Sequence, residues 1–182
     1  MRAVLDANVL FPFTLRDTLL RAAAEGCFQV YWSEQILEEA TRNLVETGVM
    51  TAKQAARLRA VMQQAFPEAM VSGHERLIGS MRNDEKDRHV AAAAVKAKAE
   101  VIVTLNVRDF RHLPPGIEAM RPDEFLGGLF GASPDAIVRV LQEQAADLRR
   151  PPMTLEDVLG RLERVAPRFA AQVRAKLGRT PP

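Results

Sequence analysis

The 182-residue chain has a single cysteine, Cys27, which excludes an internal disulfide and any Cys-based zinc cage. No apolar run approaches the roughly 18 residues of a spanning helix, so a membrane span is not expected. The opening Met1-Arg2-Ala3-Val4-Leu5-Asp6 places an acid where a secretion signal needs apolar residues, so export is not expected and a reducing cytoplasm is the expected compartment. Neither Gly-x-Gly-x-x-Gly nor Gly-x-x-x-x-Gly-Lys-Ser/Thr occurs, which argues against a nucleotide-binding module. There is no Gly-x-Ser-x-Gly elbow for a serine hydrolase. The three histidines, His74, His89 and His112, show no spacing suited to a catalytic triad or a zinc site. Nor does one sign of charge dominate: 25 Lys and Arg face 23 Asp and Glu, for a net charge of +2.

The chain does have 47% hydrophobic and 26% charged residues, enough to bury a core in one ordinary domain, or in one domain with a small appendage. The charge is unevenly placed. Residues 1–130 balance at −1, whereas residues 131–182 carry +3, a mildly basic tail behind a near-neutral body that permits contact with a polyanion. Short apolar runs at Ala3–Leu5, Phe28–Trp32 and Val101–Leu105 predict buried strands, with one more at Ile117–Met120. Helices are predicted near 13–25, 34–46, 51–66 and 84–99, with Ser33 and Thr51 as caps and Pro67 as a stop. Residues 71–82 give no clear pattern. Strands alternating with helices predict an α/β fold with a parallel sheet wrapped by helices. Gly127, Gly128 and Gly131 suggest a boundary, dividing the chain into a domain of residues 1–128 and a basic helical C-terminal extension of residues 129–182. In the tail, Arg149-Arg150-Pro151-Pro152 breaks the helical pattern, and Thr154 with Asp157 resembles a capping box.

Sites in open α/β sheets lie beyond the carboxyl ends of the strands. Asp6 ends the first predicted strand, and Asp109 follows the Val101–Leu105 strand. In the helix after Ser33 the apolar stripe is Ile36, Leu37, Ala40 and Leu44. Glu39 falls at its edge and Glu38 nearly opposite, so Glu39 is the better candidate to face a site. In the later helix Asp87 lines up with Ala91 and Ala94, an unusual place for a carboxylate. Each acid also has an ordinary reading. Asp84 and Asp87 fit a helix cap and its capping box equally well, Asp6 a strand end or helix cap, Asp109 a turn, and Glu39 a solvated flank. Four acids converging on one sheet edge would repel one another, and a cation would neutralise them. All-oxygen ligands suit Mg²⁺ or Mn²⁺.

These residues resemble the motifs of PIN-domain ribonucleases of the VapC type, found as toxins in bacterial toxin–antitoxin pairs. The matching segments are Leu5-Asp6-Ala7-Asn8-Val9-Leu10, Ser33-Glu34-Gln35-Ile36-Leu37-Glu38-Glu39, Asp84-Glu85-Lys86-Asp87-Arg88-His89-Val90-Ala91-Ala92-Ala93-Ala94 and Val103-Thr104-Leu105-Asn106-Val107-Arg108-Asp109-Phe110. The resemblance spans residues 2–126, and the tail is similar to the helical extension of some VapC-like proteins. It implies a PIN-like parallel sheet flanked by helices, with Asp6, Glu39, Asp87 and Asp109 as catalytic, metal-binding acids. Asn8, Thr104, Asn106 and Asp84 would support them. Asn106 stands where many relatives carry an acid, which shifts weight to Asp109. The implied activity is Mg²⁺- or Mn²⁺-dependent hydrolysis of RNA phosphodiesters.

Arg88, Arg108, Arg111 and Lys86, close in sequence to the acids, are candidate phosphate contacts, although Lys86 and Arg88 read somewhat more readily as solvated helix charges. The resemblance further implies a small antitoxin partner and a homodimer, with the helix pair around residues 34–66 as a docking surface. Competing classes are a catalytically inactive PIN-like module that binds RNA or protein, and a structure-directed DNA nuclease, whose long inserts and helix–hairpin–helix elements have no counterpart here.

Overall fold

The computed structural model describes residues 1–149 and 151–178. It divides into two compact units, one formed by Met1–Phe11 with Gln29–Met120, the other by Pro12–Phe28 with the chain from Arg121 onward.

The first unit holds the sheet. Its strands are β1 (Arg2–Leu5), β2 (Gln29–Ser33), β3 (Met70–Val71), β4 (Val101–Val103) and β5 (Glu118–Met120). They run parallel in the order β3-β2-β1-β4-β5, with Ala3 beside Val30 and Val101, and Val103 beside Met120. Ala3-Val4-Leu5 and Val101-Ile102-Val103 are buried throughout, as expected of parallel strands covered on both faces. From β1 the chain builds outward through β2 and β3, then returns to add β4 and β5 on the other side. The carboxyl ends of β1 and β4 therefore form the topological switch point.

The helices of this unit are α1 (Ala7–Leu10), α3 (Glu34–Glu46), α4 (Ala52–Ala65), α5 (Glu75–Ile78) and α6 (Arg88–Ala97), with α2 (Phe13–Ala24) belonging to the second unit. Ser33 Oγ accepts from Ile36 N–H at 3.3 Å and starts α3, which buries Ile36, Leu37, Ala40 and Leu44 and leaves Glu38 exposed. Thr51 and Gln54 close a reciprocal capping box at α4. Trp32 is fully buried with its ring edge-on to Phe66, so it packs the core and is not available to stack on a base.

Three local expectations are corrected. The strand expected to reach Leu105 stops at Val103, because Thr104 and Leu105 turn their polar groups to Asp6 and Asn8. The single helix expected over residues 84–99 is a tight turn, Glu85–Asp87, followed by α6. Gly127, Gly128 and Gly131 do not break the chain but lie inside α7 (Pro122–Ala132). Burial of Phe125, Leu126, Leu129 and Phe130 on one flank outweighs the poor helix propensity of glycine, about 1 kcal/mol each. A Cβ on Gly127 would stand 3.4 Å from the Gln172 side chain, so the small residue also allows close packing.

The second unit comprises α2 (Phe13–Ala24), α7, α8 (Pro134–Asp147), α9 (Leu155–Leu162) and α10 (Pro167–Leu177). Thr154 and Asp157 form the expected capping box, with bonds of 2.8 and 3.2 Å. Of the predicted break at residues 149–152, Arg150 lies outside the described residues. Phe28 meets Phe125 edge to face at 4.9 Å. Asp123 accepts the Phe169 N–H at the start of α10.

A polar knot sits inside this apolar packing. Gln144, fully buried, donates to the Thr14 carbonyl at 3.1 Å, and its Oε1 receives the Thr18 hydroxyl at 2.7 Å. The same hydroxyl also lies 2.8 Å from the Thr14 carbonyl. Gln144→Ala is therefore expected to destabilise the protein by about 2–4 kcal/mol, through a cavity and lost bonds. Gln144→Leu refills the volume and lets Thr18 fall back on its own helix, so about 1 kcal/mol is expected. Urea unfolding of the two variants checks this, and equal losses would contradict it.

Candidate active site

Asp6 stands at the switch point, immediately after β1, and is only 4% exposed. Its Oδ2 accepts from Asn8 Nδ2 at 2.6 Å and from the Thr104 hydroxyl at 2.7 Å. It occupies the N-cap position of α1 without a side-chain capping bond. Burial raises its pKa, the Thr104 bond opposes the rise, and the nearby Glu39 charge adds to it. Asn8 ties the strand ends together: its amide also reaches Thr104 Oγ1 at 3.0 Å, and its carbonyl accepts Leu105 N–H at 2.9 Å. Thr104 Oγ1 in turn accepts Asn106 N–H at 3.0 Å.

The turn Val107–Phe110 carries Asp109, and Asn106 hydrogen-bonds its carboxylate. The Asp109 carbonyl accepts Asp84 N–H at 2.9 Å, which joins the segment before α6 to the segment after β4. Asp84 caps the 85–87 turn by accepting Lys86 N–H at 3.3 Å, whereas Asp87 makes no side-chain capping bond at the start of α6. Between these two acids the capping role thus falls to Asp84. Asp87 is half-buried, and burial followed by the charges of Asp6, Asp109 and Asp84 pushes its pKa up to about 6, with Lys86 opposing. Lys86 reaches Asp109 at 2.9 Å and holds that carboxyl below its usual range.

Glu39 is brought within electrostatic reach of Asp6, but its direct contacts are Gln35 Nε2 and His89 Nε2, each at 3.2 Å. Burial pushes its pKa up, and these two partners outweigh burial to bring it below the usual value. Beside it opens a cleft of about 600 Å³, lined in part by Gln35, Glu38, Arg42, Ser72 and His74. Arg108 and Arg111 are exposed, while Arg88 Nε is held by the Asn83 carbonyl at 3.3 Å.

The structure therefore gathers Asp6, Asp87, Asp109 and Asp84 into one electrostatic cluster, with Glu39 joined to it through Asp6. As the side chains stand, no group of three or more His, Cys, Asp or Glu among the described residues is disposed to hold a metal ion. The donor chemistry nevertheless fits a hard divalent cation. The site is rich in carboxylate oxygens, and the pKa of Asp87, raised by burial and then by the charges of Asp6, Asp109 and Asp84, reflects in part a repulsion that a cation would relieve.

Sequence reasoning missed His89, which is buried against Glu39, and the Lys86–Asp109 pair. His89 did leave a signal. It is a polar side chain on α6 beside four fully buried alanines, Ala91 to Ala94.

Because a raised acid pKa means the folded state holds its proton more tightly, Asp87 stabilises the fold at low pH and withdraws that contribution as pH rises through about 6. Asp87→Asn is accordingly expected to raise the melting temperature above pH 7, by an amount equivalent to about 1 kcal/mol after allowing for solvent screening. It should also flatten the rise in stability between pH 7 and 5. Thermal melts across that range check this, and a variant less stable than wild type at pH 7.5 would contradict it.

A family model described as PIN domain matches residues 2–108, more than half of the chain. The chain belongs to the PIN domain family. The PIN match takes in the whole acidic cluster apart from Asp109, which lies one residue beyond its end. A second family model, described as the VapC50 C-terminal domain, matches residues 122–175. Among curated proteins, the chain is similar to "Putative ribonuclease VapC50" of Mycobacterium tuberculosis (strain ATCC 25618 / H37Rv). The two are 38% identical over 109 residues, covering 58% of this chain and 64% of that relative, so the match spans less than two thirds of the relative's length. No solved structure matches the chain. Among the described residues, no helix of this PIN protein is long and apolar enough to cross a membrane.

Proposed function

We propose that the chain is a divalent-metal-dependent endoribonuclease that hydrolyses RNA phosphodiesters in the cytoplasm as the toxin of a toxin–antitoxin pair. The observation that carries this reading is the carboxylate cluster at the switch point, where burial first, and then the charges of Asp6, Asp109 and Asp84, lift the pKa of Asp87 to about 6. The name of the relative, a ribonuclease, supports the same class of reaction.

Asp6, Asp87, Asp109 and Glu39 would hold Mg²⁺ or Mn²⁺. When bound, such a cation supplies Lewis-acid neutralisation of the phosphodiester and makes water acidic enough to attack at neutral pH. Asn8 and Thr104 hold the Asp6 carboxylate fixed through its Oδ2, so little reorientation is needed on binding. Asn106 does the same for Asp109. The exposed guanidiniums of Arg108 and Arg111 would grip phosphates that flank the cut, with Arg88 as a further contact. We assign the chemistry to residues 1–128 and a supporting role in RNA binding to the basic extension, residues 129–182. A small antitoxin would restrain the activity, and a homodimer is the proposed assembly.

A second reading, a catalytically inactive PIN-like binding module, is favoured by one observation: Lys86 Nζ already pairs with Asp109 at 2.9 Å. One assay separates the two. The purified chain is incubated with total RNA in Mg²⁺ or Mn²⁺, with and without EDTA. The nuclease reading expects cleavage that EDTA abolishes and internal cut sites. RNA bound but left intact in either metal would favour the inactive module.

A further inference from the structure

We infer that His89 is a positioning residue for Glu39, its imidazole fixing a carboxylate that lies within electrostatic reach of Asp6. The inference rests on the metal-dependent reading above and adds to it a residue outside the acid set.

His89 lies in the first turn of α6 and is 3% exposed. Its Nε2 stands 3.2 Å from Glu39 Oε1. Gln35 Nε2 reaches the same oxygen, also at 3.2 Å. Both contacts fall on Oε1, which leaves Oε2 available to a cation. Asp6 lies within electrostatic reach of both partners. The pair thus links α3 to α6 next to the carboxylate that ends β1.

The contact is short but not straight. Neither ring nitrogen of His89 has an aligned hydrogen-bond partner on the protein. Burying an imidazole on those terms opposes folding, and an apolar side chain in the same place, among Val90 and the fully buried Ala91 to Ala94, would avoid the penalty. A donor that is close but misaligned without ligand, and that aligns when the ligand draws its acceptor into place, accounts for a polar residue there. The required species is the ring with a proton on Nε2, which serves as a donor to the Glu39 carboxylate. No change in the charge of the imidazole is invoked.

The test uses the full chain and compares wild type with His89→Leu, His89→Gln and Glu39→Gln. Leu removes the donor, while Gln restores an N–H in the same region. Mn²⁺ binding is measured by calorimetry, with thermal melts to confirm folding. His89→Leu is expected to weaken Mn²⁺ binding roughly 10–100-fold, the usual loss for a group that orients a metal ligand. His89→Gln should recover most of that loss. In the Glu39→Gln background, His89→Leu should cause no further loss. A His89→Leu chain that binds Mn²⁺ as tightly as wild type overturns the inference. So does a His89→Gln chain as weak as His89→Leu, or an undiminished effect in the Glu39→Gln background.

If His89→Leu does not fold, the wild-type chain with ¹⁵N-labelled histidine carries the test. Adding diamagnetic Mg²⁺ should shift the His89 Nε2 proton and slow its exchange, and an unchanged signal overturns the inference. Failure of the underlying reading looks different: wild type itself takes up no Mn²⁺, and both ideas fall together.

Discussion

Asp6→Asn is expected to lower the rate of RNA cleavage by about three orders of magnitude while leaving the chain folded. Asparagine keeps the shape and a carbonyl oxygen that can still accept from Asn8 and Thr104, the two bonds Asp6 makes at 2.6 and 2.7 Å. What it removes is the charge. Loss of one charged metal ligand is worth roughly 4 kcal/mol of transition-state stabilisation, which corresponds to about 10³ in rate. Removing a buried carboxylate also relieves desolvation and repulsion from Glu39, so the melting temperature should hold or rise. Asn8→Ala is the informative companion. It keeps all four acids but frees Asp6 from one bond and Leu105 N–H from its acceptor, and a loss of about 10–100-fold is expected. Initial cleavage rates in Mg²⁺, read alongside thermal melts, check both. An Asp6→Asn chain that cuts at the wild-type rate would contradict the account.

Deleting the chain from Arg121 onward is expected to yield no soluble, cooperatively folded protein, even though residues 1–120 contain the entire sheet and all the candidate acids. The reason lies in α2. This helix precedes β2 in sequence but packs in the second unit, against α8 and α9. Leu15, Leu19 and Phe28 are buried there, Thr14 and Thr18 are bonded to Gln144, and Arg21 pairs with Asp147 at 2.9 Å. Stripping the three apolar side chains of cover forfeits roughly 5–9 kcal/mol, comparable to the whole stability of a small domain. The helix cannot be discarded, because the chain must pass through it between α1 and β2. Circular dichroism and a melt of the truncated chain check this. A monomeric fragment with a sharp transition would contradict it.

The sheet was legible in the sequence because parallel strands buried on both faces read as short unbroken apolar runs, and Ala3-Val4-Leu5 and Val101-Ile102-Val103 are such runs. The phase of α3 was legible too: Glu39 at the edge of the stripe is half-buried and Glu38 is exposed, as the helical wheel predicts. The wheel was less informative for Asp87. Ala91 to Ala94 are all buried, so α6 has no single inner stripe, and Asp87 sits in the tight turn ahead of the helix. What separates Asp84 from Asp87 is hydrogen bonding, which the sequence does not record. The helix through Gly127, Gly128 and Gly131 was hidden because burial of its phenylalanines and leucines overrides local propensity. The partnership of α2 with Gln144 depends on contacts about 126 residues apart, beyond any local pattern. His89 was passed over for a related reason, since the carboxylate it meets, Glu39, comes from a different helix.

Calorimetric titration of the full chain with Mn²⁺ tests most directly whether these carboxylates act together on a divalent cation. A saturable uptake that disappears in the Asp6→Asn, Asp87→Asn double variant is the expected result. An absence of binding at millimolar Mn²⁺, or binding that survives both substitutions unchanged, would contradict it.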